Sequence, residues 1–316
     1  ALQFGARRCA SSQPVYMSLS LPPIVRAVRA LPPIGRQIAS IALGHRISEA
    51  CMAHQGNAKA LPTVVLSFDC DFPVDVEALP ALCDVLRTRD LRGSFAVVGQ
   101  WVNRYPEQHR AISDGGHELI NHSHTHPNLR NPDYDFAASE EFTERMFGDL
   151  SRAEQLDELV QCHEAVREHL GVEMAGCRLP HFGNLAPETA YGLMREVGYR
   201  FSSSLLAVLS PTLGAPYTAV EGISEIPVAG CPAHPFTVFD TWHCLVKNGG
   251  RHAADGEFLQ LALGALDSCQ RHSGLLNLYF DPKDVVNHPD FHRFLDALVE
   301  TPVRVVPYET LLAVTT

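Results

Sequence analysis

The sequence predicts an α/β protein, and a (β/α) barrel is favoured over an open sheet. From Thr63 onward, runs of β-forming apolar residues alternate with amphipathic helical segments, a rhythm typical of βαβ units. The first run, Thr63 to Phe68, is nearly continuous in apolar residues, as in a strand buried on both faces. About seven such strand units within about 250 residues fit the size of a barrel domain.

The predicted elements follow one another in a regular order. Strands are predicted over residues 63–68, 93–98, 117–121, 174–179, 200–204, 223–228, 275–280 and 303–306. Helices are predicted over residues 74–89, 104–114, 151–170, 187–197, 255–272 and 289–299. The helix at 151–170 opens with a Ser151 cap and Glu154 three residues later. Residues 129–150 form a longer insertion, which is either a lid or ordinary packing.

The first sixty residues differ from the rest, and we divide the chain into a helical extension (1–60) and a barrel domain (61–316). The motif Leu21-Pro-Pro-Ile-Val-Arg26 recurs as Leu31-Pro-Pro-Ile-Gly-Arg36, and a Pro pair is tolerated in a first helical turn. No Asp or Glu precedes Glu49. A basic amphipathic segment can bind an anionic membrane, although a helical extension more often packs on its own domain.

Composition excludes some functions. A net charge of −11 over 316 residues argues against a general nucleic-acid binder. No apolar run reaches the roughly 18–20 residues that a membrane span requires. The nine cysteines include no Cys-x-x-Cys pair, so residues such as Cys83, Cys162 and Cys269 are expected to be buried thiols. We therefore expect a cytoplasmic protein, membrane-peripheral if the extension binds lipid.

Polar side chains mark the ends of four predicted strands. In a barrel, the chemistry gathers where strands end and loops begin. The first strand is followed by two carboxylates, the third by two imidazoles, and two later strands by one charged residue each: Asp69, Asp71, His122, His126, Arg178 and Asp281.

The spacing of His122 and His126 requires a turn if both are to bind one metal. Imidazole nitrogens bind zinc at about 2.0–2.1 Å and must therefore approach each other closely. Residues four apart on a strand are about 13 Å apart, whereas on a helical turn they are neighbours. Ser123, Thr125 and Pro127 suit a turn. The alternative is a chance His-x-x-x-His among 16 histidines.

Asp69 and Asp71 point to the same side of an extended strand end, roughly 6–7 Å apart. One carboxylate can bind a metal while the other takes a proton from a water bound to that metal. Two imidazoles and one carboxylate leave metal positions open, which is typical of a catalytic site. The alternative role of the pair is capping of the segment that begins at Pro73.

Three motifs resemble those of the polysaccharide deacetylase family, also called carbohydrate esterase family four. They are Ser67-Phe-Asp-Cys-Asp71, Gly116-His-Glu-Leu-Ile-Asn-His-Ser-His-Thr-His-Pro-Asn-Leu129 and Arg178-Leu-Pro-His-Phe-Gly183. The resemblance covers about 63–312 and implies a distorted (β/α) barrel with metal-dependent hydrolysis of N-acetyl or other amide groups. The Asp-x-Asp spacing resembles a branch that includes unusual deacetylases and allantoinase-like amide hydrolases.

The resemblance also implies roles for single residues. Asp69 matches the catalytic base, and Arg178 matches the arginine that holds this base ionised. The metal ligands implied are Asp71, His122 and His126. The residues implied or expected to wall the substrate site are Pro180, Phe182, Gly183 and Trp242.

The chain departs from the family at Asp281, where a histidine usually protonates the leaving amine. An Asp could serve as this acid if burial raised its pKa. His288 or His292 could substitute, but both lie in segments expected at the surface.

Three functions follow, in order of preference. The first is a metal-dependent hydrolase that removes an N-acetyl group from an amino sugar or glycoconjugate by attack of a metal-bound water. The second is a hydrolase of small cyclic or linear amides on the same site. The third is a catalytically idle relative that binds a glycan. Zn is the default metal, and Co, Ni, Fe or Mn would also fit this ligand set.

Overall fold

A sheet of mainly parallel strands forms the centre of the molecule in the computed structural model, which describes residues 20–56, 60–134, 142–182 and 187–315. Within these ranges nine strands share one sheet and two more form a hairpin. The sheet strands are β1 (Thr63–Cys70), β2 (Ser94–Val97), β3 (Glu118–Asn121), β4 (Gly176–Cys177), β5 (Phe201–Ser202), β6 (Tyr217–Val220), β7 (Ile223–Glu225), β10 (Leu275–Phe280) and β11 (Arg304–Val305). The hairpin strands are β8 (Gly230–Cys231) and β9 (His234–Val238).

Seven of the described strands build the barrel wall, all parallel, in the order β10-β1-β2-β3-β4-β5-β7. The chain beyond β7 closes the ring: the Ala229 amide donates to the Asn277 carbonyl at 2.8 Å, and the Asn277 amide group donates to the Ile226 carbonyl at 3.0 Å. The wall is uneven, because β1 and β10 pair over six residues but β4 and β5 over only two. The predicted distorted (β/α) barrel of about seven strands is confirmed.

The remaining two strands of the sheet lie outside this ring. Strand β6 pairs antiparallel with β7, and β11 pairs with the first two residues of β1. Eleven α-helices occur in the described part of the chain: α1 (Pro23–Arg29), α2 (Pro33–Gln55), α3 (Pro73–Arg87), α4 (Gly99–Arg104), α5 (Pro106–Asp114), α6 (Arg152–Leu170), α7 (Pro187–Val197), α8 (Glu257–His272), α9 (Pro282–Val285), α10 (Pro289–Glu300) and α11 (Tyr308–Thr315). None of these helices has both the length and the apolar character that crossing a membrane would require.

Alternation along β1 separates the core from the barrel interior. Val64, Leu66 and Phe68 join the large apolar cluster that fills the space between sheet and helices. Ser67 and Asp69 are buried on the other side, inside the ring. The barrel interior is therefore polar at its upper end, where β1 finishes. The eight described cysteines are buried and free, in line with the expected buried thiols.

The two N-terminal helices pack on the barrel through a cluster of their own. Val25, Ile47 and Cys51 are buried against Leu206 and Leu213. Side chains of Arg29 and Ser48 also donate hydrogen bonds to carbonyls of the barrel domain. The division of the chain at residue 60 stays a prediction.

The stability of the fold is expected to fall in mild acid because of His117. The Gly93 amide donates to the His117 Nδ1 at 3.2 Å, so this nitrogen must be unprotonated. Burial, with a smaller contribution from Arg92, lowers the pKa of His117 to about 4. Because the folded-state pKa lies below the unfolded value, this stability is complete above about pH 6.5 and is lost as the pH falls toward 4, by at most about 3 kcal/mol.

Urea unfolding at pH 7 and pH 5 checks this expectation. His117→Gln keeps an acceptor for Gly93 but cannot titrate, so its free energy of unfolding should fall less between the two pH values than that of the wild type. Equal losses in the two proteins would show that His117 is not responsible.

Candidate active site

The end of β1 and the turn after it position the two carboxylates of the Asp-x-Asp motif. Asp69 is the second-last residue of β1 and is buried inside the ring, whereas Cys70 points into the large apolar cluster. The Trp101 indole donates to the Asp71 carbonyl at 2.9 Å, and the Phe72 amide donates to the Asp75 carboxylate at 3.1 Å. The backbone that carries Asp71 is thus held from both sides.

A tight turn after β3 brings His122 and His126 together. Ser123 and His126 adopt left-handed backbone conformations, with φ of 67° and 50°, which non-glycine residues rarely adopt. The Ser123 amide donates to the Asn121 side chain at 2.8 Å, and the His126 amide donates to the Ser123 hydroxyl at 3.1 Å. The two imidazole centroids are 4.9 Å apart, so the chain turns where the spacing required it.

Glu158 of α6 braces this turn from outside. Its carboxylate accepts hydrogen bonds from the His124 and Thr125 amides, both at 2.8 Å, and from the Thr125 hydroxyl at 2.7 Å. These bonds satisfy two amides that the turn leaves without a backbone partner and offset part of its strain. Sequence reasoning missed Glu158, because nothing in a helix more than thirty residues away marks it as a partner of the turn.

The atoms that meet at the centre are all suited to a divalent cation. Asp71 Oδ1 is 3.1 Å from His122 Nε2 and 3.4 Å from His126 Nε2. His122 Nδ1 lies 2.7 Å from the Arg178 carbonyl and donates to it, which leaves the Nε2 lone pair facing Asp71. Asp71 Oδ1 is buried, and no donor among the described residues satisfies it.

The distances from Asp71 Oδ1 to the Nε2 atoms of His122 and His126 match those between ligands of one metal ion. Ligand atoms about 2.1 Å from one ion, at angles near tetrahedral or octahedral, are about 3.0–3.4 Å apart. Burial raises the pKa of Asp71, but the imidazoles of His126 and His122 outweigh it and hold this pKa well below its ordinary value. Burial also lowers the pKa of His126 to about 3. Burial lowers the pKa of His122 too, but Asp69 and Asp71 outweigh it and raise this pKa. Carboxylate and neutral imidazole are the forms that bind metal, so a bound ion would take the place of a proton on His122. A divalent ion therefore fits between Asp71, His122 and His126. Among the described residues, these three side chains bring their possible ligand atoms within 4.8 Å of one another.

Asp69 is held by a buried arginine. The Arg178 guanidinium donates to Asp69 Oδ1 at 2.5 Å and is itself fully buried. It also donates to Ser67, the Ser203 carbonyl and the Tyr308 hydroxyl, at 2.9, 3.0 and 2.5 Å. The second oxygen of Asp69 faces the metal-site residues, 3.9 Å from His122 Nε2.

The electrostatics of Asp69 depend on this arginine. Burial raises the pKa of Asp69, while Arg178 and then His122 lower it, and the net direction is upward. The sequence had suggested a carboxylate held ionised by Arg178. The structure shows that the ion pair opposes a larger effect of burial, so the arginine is what favours the carboxylate form that a base requires.

A cavity of about 620 Å³ lies at the carboxyl ends of the barrel strands. Its walls include Asp69, Asp71, His122, Trp242 and Asp281, so the predicted base, two predicted metal ligands and the predicted acid share one space.

Of the residues predicted to wall the site, some line this cavity and others do not. Pro180 is buried and is not among the residues that line this cavity, whereas its neighbour His181 lines it, with a left-handed φ of 54°. The side chain of Phe182 and the residue Gly183 lie outside the described residues. Trp242 does line the cavity, and its ring centroid is 5.1 Å from that of Tyr134.

Asp281 directly follows β10 and occupies the N-cap position of α9, and its side chain is buried. Burial raises the pKa of Asp281 well above its ordinary value, and Lys283 opposes this rise. This is the direction that the predicted role of proton donor needs. The role itself stays a prediction.

A second proton-carrying pair, which the sequence did not reveal, faces the same cavity. Asp240 is fully buried and lies 2.7 Å from His243 Nδ1 through one carboxylate oxygen. The Tyr279 hydroxyl donates to that same oxygen, Oδ2, at 2.6 Å. The other oxygen, Oδ1, accepts a hydrogen bond from the His243 amide at 2.6 Å. From the sequence, this segment was expected to supply an aromatic wall through Trp242 or a Trp packed in the core. The spacing Asp-x-x-His, which places both side chains on one turn, was the available signal.

Comparison with known proteins agrees with this geometry. Residues 56–202 match the family model described as polysaccharide deacetylase. These residues belong to the polysaccharide deacetylase family. The matched segment of the deacetylase domain contains Asp69, Asp71, His122, His126 and Arg178.

Sequence relatives cover only part of the chain. A peptidoglycan-N-acetylmuramic acid deacetylase of Bacillus subtilis is 33% identical over 105 residues, which are 33% of this chain and 37% of that protein. The match thus spans little more than a third of that relative's length.

Solved structures share the fold at low identity. A probable polysaccharide deacetylase from Pseudomonas aeruginosa PAO1 gives a TM-score of 0.59 at 13% identity, over 78% of this chain and 88% of that one. An allantoinase gives a TM-score of 0.61 at 12% identity, over 81% and 91% of the two chains. These likenesses establish the fold and do not distinguish between substrates.

Proposed function

We propose that this protein is a metal-dependent hydrolase that removes an N-acetyl group from an amino sugar or glycoconjugate. The observation that carries the proposal is the meeting of Asp71, His122 and His126 at one point, with Asp69, Asp71 and His122 on the wall of one cavity. The family match and the curated relative, a deacetylase of N-acetylated peptidoglycan sugar, support the choice of reaction.

Asp71, His122 and His126 would hold the divalent ion. When bound, such an ion polarises an acyl oxygen and makes water a stronger acid. Asp69 Oδ2 faces the same space and accepts the proton of the attacking water. Arg178 binds the other oxygen, Oδ1, and so directs Oδ2 toward the reaction.

The leaving nitrogen must gain a proton as the carbon–nitrogen bond breaks. Water adds its oxygen to the acyl carbon, one proton goes to Asp69, and the nitrogen departs with a proton from an acid in the cavity. The products are acetate and a free amine. Asp281 is our proposed acid, and His243, oriented by Asp240, is the second candidate.

The cavity also suits a sugar ring. Its volume of about 620 Å³ lies in the range of small-molecule sites. Phe72, Tyr134 and Trp242 line one side with aromatic surface, which can pack on the apolar face of a ring. A small cyclic or linear amide would also fit this volume, so the substrate is decided by assay.

The decisive experiment compares substrates in parallel. The protein loaded with Zn, Co or Mn is incubated with N-acetylglucosamine oligomers, peptidoglycan fragments, and small cyclic and linear amides. We expect acetate release from the sugars. Turnover of the small amides alone would establish the alternative amide hydrolase, and glycan binding without turnover under every metal would establish an idle relative.

The acid can be identified by comparing two substrates, one whose leaving group needs a proton and one whose leaving group does not. Asp281→Asn is expected to lower kcat on an N-acetyl sugar by about 10²–10⁴-fold. It should leave hydrolysis of 4-nitrophenyl acetate nearly unchanged, because that leaving group needs no proton. His243→Gln, assayed on the same two substrates, is the matched comparison. A selective loss in His243→Gln and none in Asp281→Asn would assign the proton to His243 and contradict our assignment.

A further inference from the structure

Helix α2 carries an apolar stripe that no other described residue covers. Ile34, Ile38 and Ile41 are 74%, 63% and 76% exposed. Their spacing of four and three residues places them on one face of the helix. A different face, which includes Ile47 and Cys51, is buried against the barrel. The stripe is therefore not needed for packing of α2 on its own domain.

We propose that this stripe binds the surface of an anionic lipid bilayer. Residues 1–48 contain six arginines and no Asp or Glu. The rest of the chain has 19 basic and 36 acidic side chains. The basic N-terminal part of an acidic protein thus carries the three exposed isoleucines of the described residues. A helix lying in the interface needs an apolar stripe together with nearby cationic side chains.

A cationic groove lies at the end of the stripe. Its volume is about 250 Å³, and it is bounded by Ile41, His45 and Arg46 of α2 and by His234 and Arg251 of the barrel domain. Among the described residues that line it, Glu257 is the one carboxylate. Apolar contact and positive charge are adjacent here, as they are at the boundary between acyl chains and phosphate headgroups.

The shape of the stripe favours lipid over a second copy of the chain. A stable dimer buries roughly 800 Å² on each partner, and three isoleucine side chains supply only part of such a surface. A narrow stripe along a helix is sufficient for insertion at the boundary of a bilayer. Arg36 of α2 also lies 6.0 Å from the ring centroid of Phe236, which lines the candidate active-site cavity. Docking through α2 would thus hold this cavity close to the bilayer.

Vesicle sedimentation tests the proposal with the full chain. The probes are vesicles of phosphatidylcholine alone and of phosphatidylcholine mixed equally with phosphatidylglycerol. We expect binding to the mixed vesicles only, and weaker binding at about 1 M salt, where the screening length is about 3 Å. Ile34→Ser/Ile38→Ser/Ile41→Ser should weaken binding by about tenfold or more.

A matched variant controls for general surface apolarity. Leu61→Ser/Val299→Ser/Val314→Ser removes three other apolar side chains of similar exposure and should bind as the wild type does. In a third variant, Ile38→Trp, the new indole should be quenched by brominated lipid in mixed vesicles. Because neither triple variant touches the cavity, both should keep the wild-type urea-unfolding midpoint.

Three results would overturn the proposal. One is a wild type that fails to bind mixed vesicles, and another is equal binding by the two triple variants. The third is vesicle binding that appears only after removal of residues 1–19, which would show that this segment, and not lipid, is the partner of the stripe in the full chain. A dimer that dissociates in the α2 variant, without vesicle binding, would identify a second copy as the partner.

Discussion

Asp71→Asn is expected to remove the divalent ion and to lower hydrolysis by about a thousandfold or more, equivalent to about 4 kcal/mol of transition-state stabilisation. The substitution keeps the size of the side chain but removes the negative charge that two neutral imidazoles cannot replace. Asp71 Oδ1 lies within 3.4 Å of both imidazole nitrogens, so it is the atom that joins the two histidines into one site.

Metal content measured by mass spectrometry after dialysis checks this expectation independently of activity. His124→Gln is the matched control, because His124 lies in the same turn but is not part of the group formed by Asp71, His122 and His126. The control should retain one ion per chain. An Asp71→Asn protein that binds metal as tightly as the wild type would contradict the assignment of ligands.

Arg178→Met is expected to destabilise the fold by about 3–5 kcal/mol and to abolish hydrolysis. The guanidinium is fully buried and pairs with Asp69, so its removal leaves a buried carboxylate without its counter-charge. The hydroxyl groups of Ser67 and Tyr308 lose the same partner. Asp69→Asn/Arg178→Met should be less destabilised than the sum of the two single variants, since the unpaired charge is then absent.

Urea unfolding measures these changes, and Arg200→Met provides the contrast. Arg200 pairs with Glu309 at the surface, where both side chains are largely exposed. Loss of an exposed pair costs about 0–1 kcal/mol. Equal destabilisation by Arg178→Met and Arg200→Met would show that burial of the Arg178–Asp69 pair does not matter to stability.

The sequence predicted the barrel and the position of the site because both follow from local patterns. Apolar runs such as the one that begins at Thr63 predict buried strands, and parallel strands bring their carboxyl ends to one rim. Polar residues that directly follow those runs, such as Asp71 and His122, were therefore expected together. The turn at His126 was predictable from the distance that one metal imposes on two imidazoles.

Other features depend on contacts that no local pattern records. Glu158 supports the histidine turn from a helix that looks ordinary in sequence. Closure of the barrel depends on Asn277 and Ala229, which meet only once the sheet has curled. The predicted helix at 104–114 begins instead after Tyr105, because Pro106 starts a new helix and a separate one occupies Gly99–Arg104.

The central claim is that Asp71, His122 and His126 bind one divalent ion. Anomalous diffraction at the zinc edge, from crystals of the zinc-loaded protein, tests it most directly. We predict one peak, about 2.0–2.2 Å from Nε2 of both histidines and from a carboxylate oxygen of Asp71. A peak bound by other residues, or none at this position in fully loaded protein, would contradict the claim.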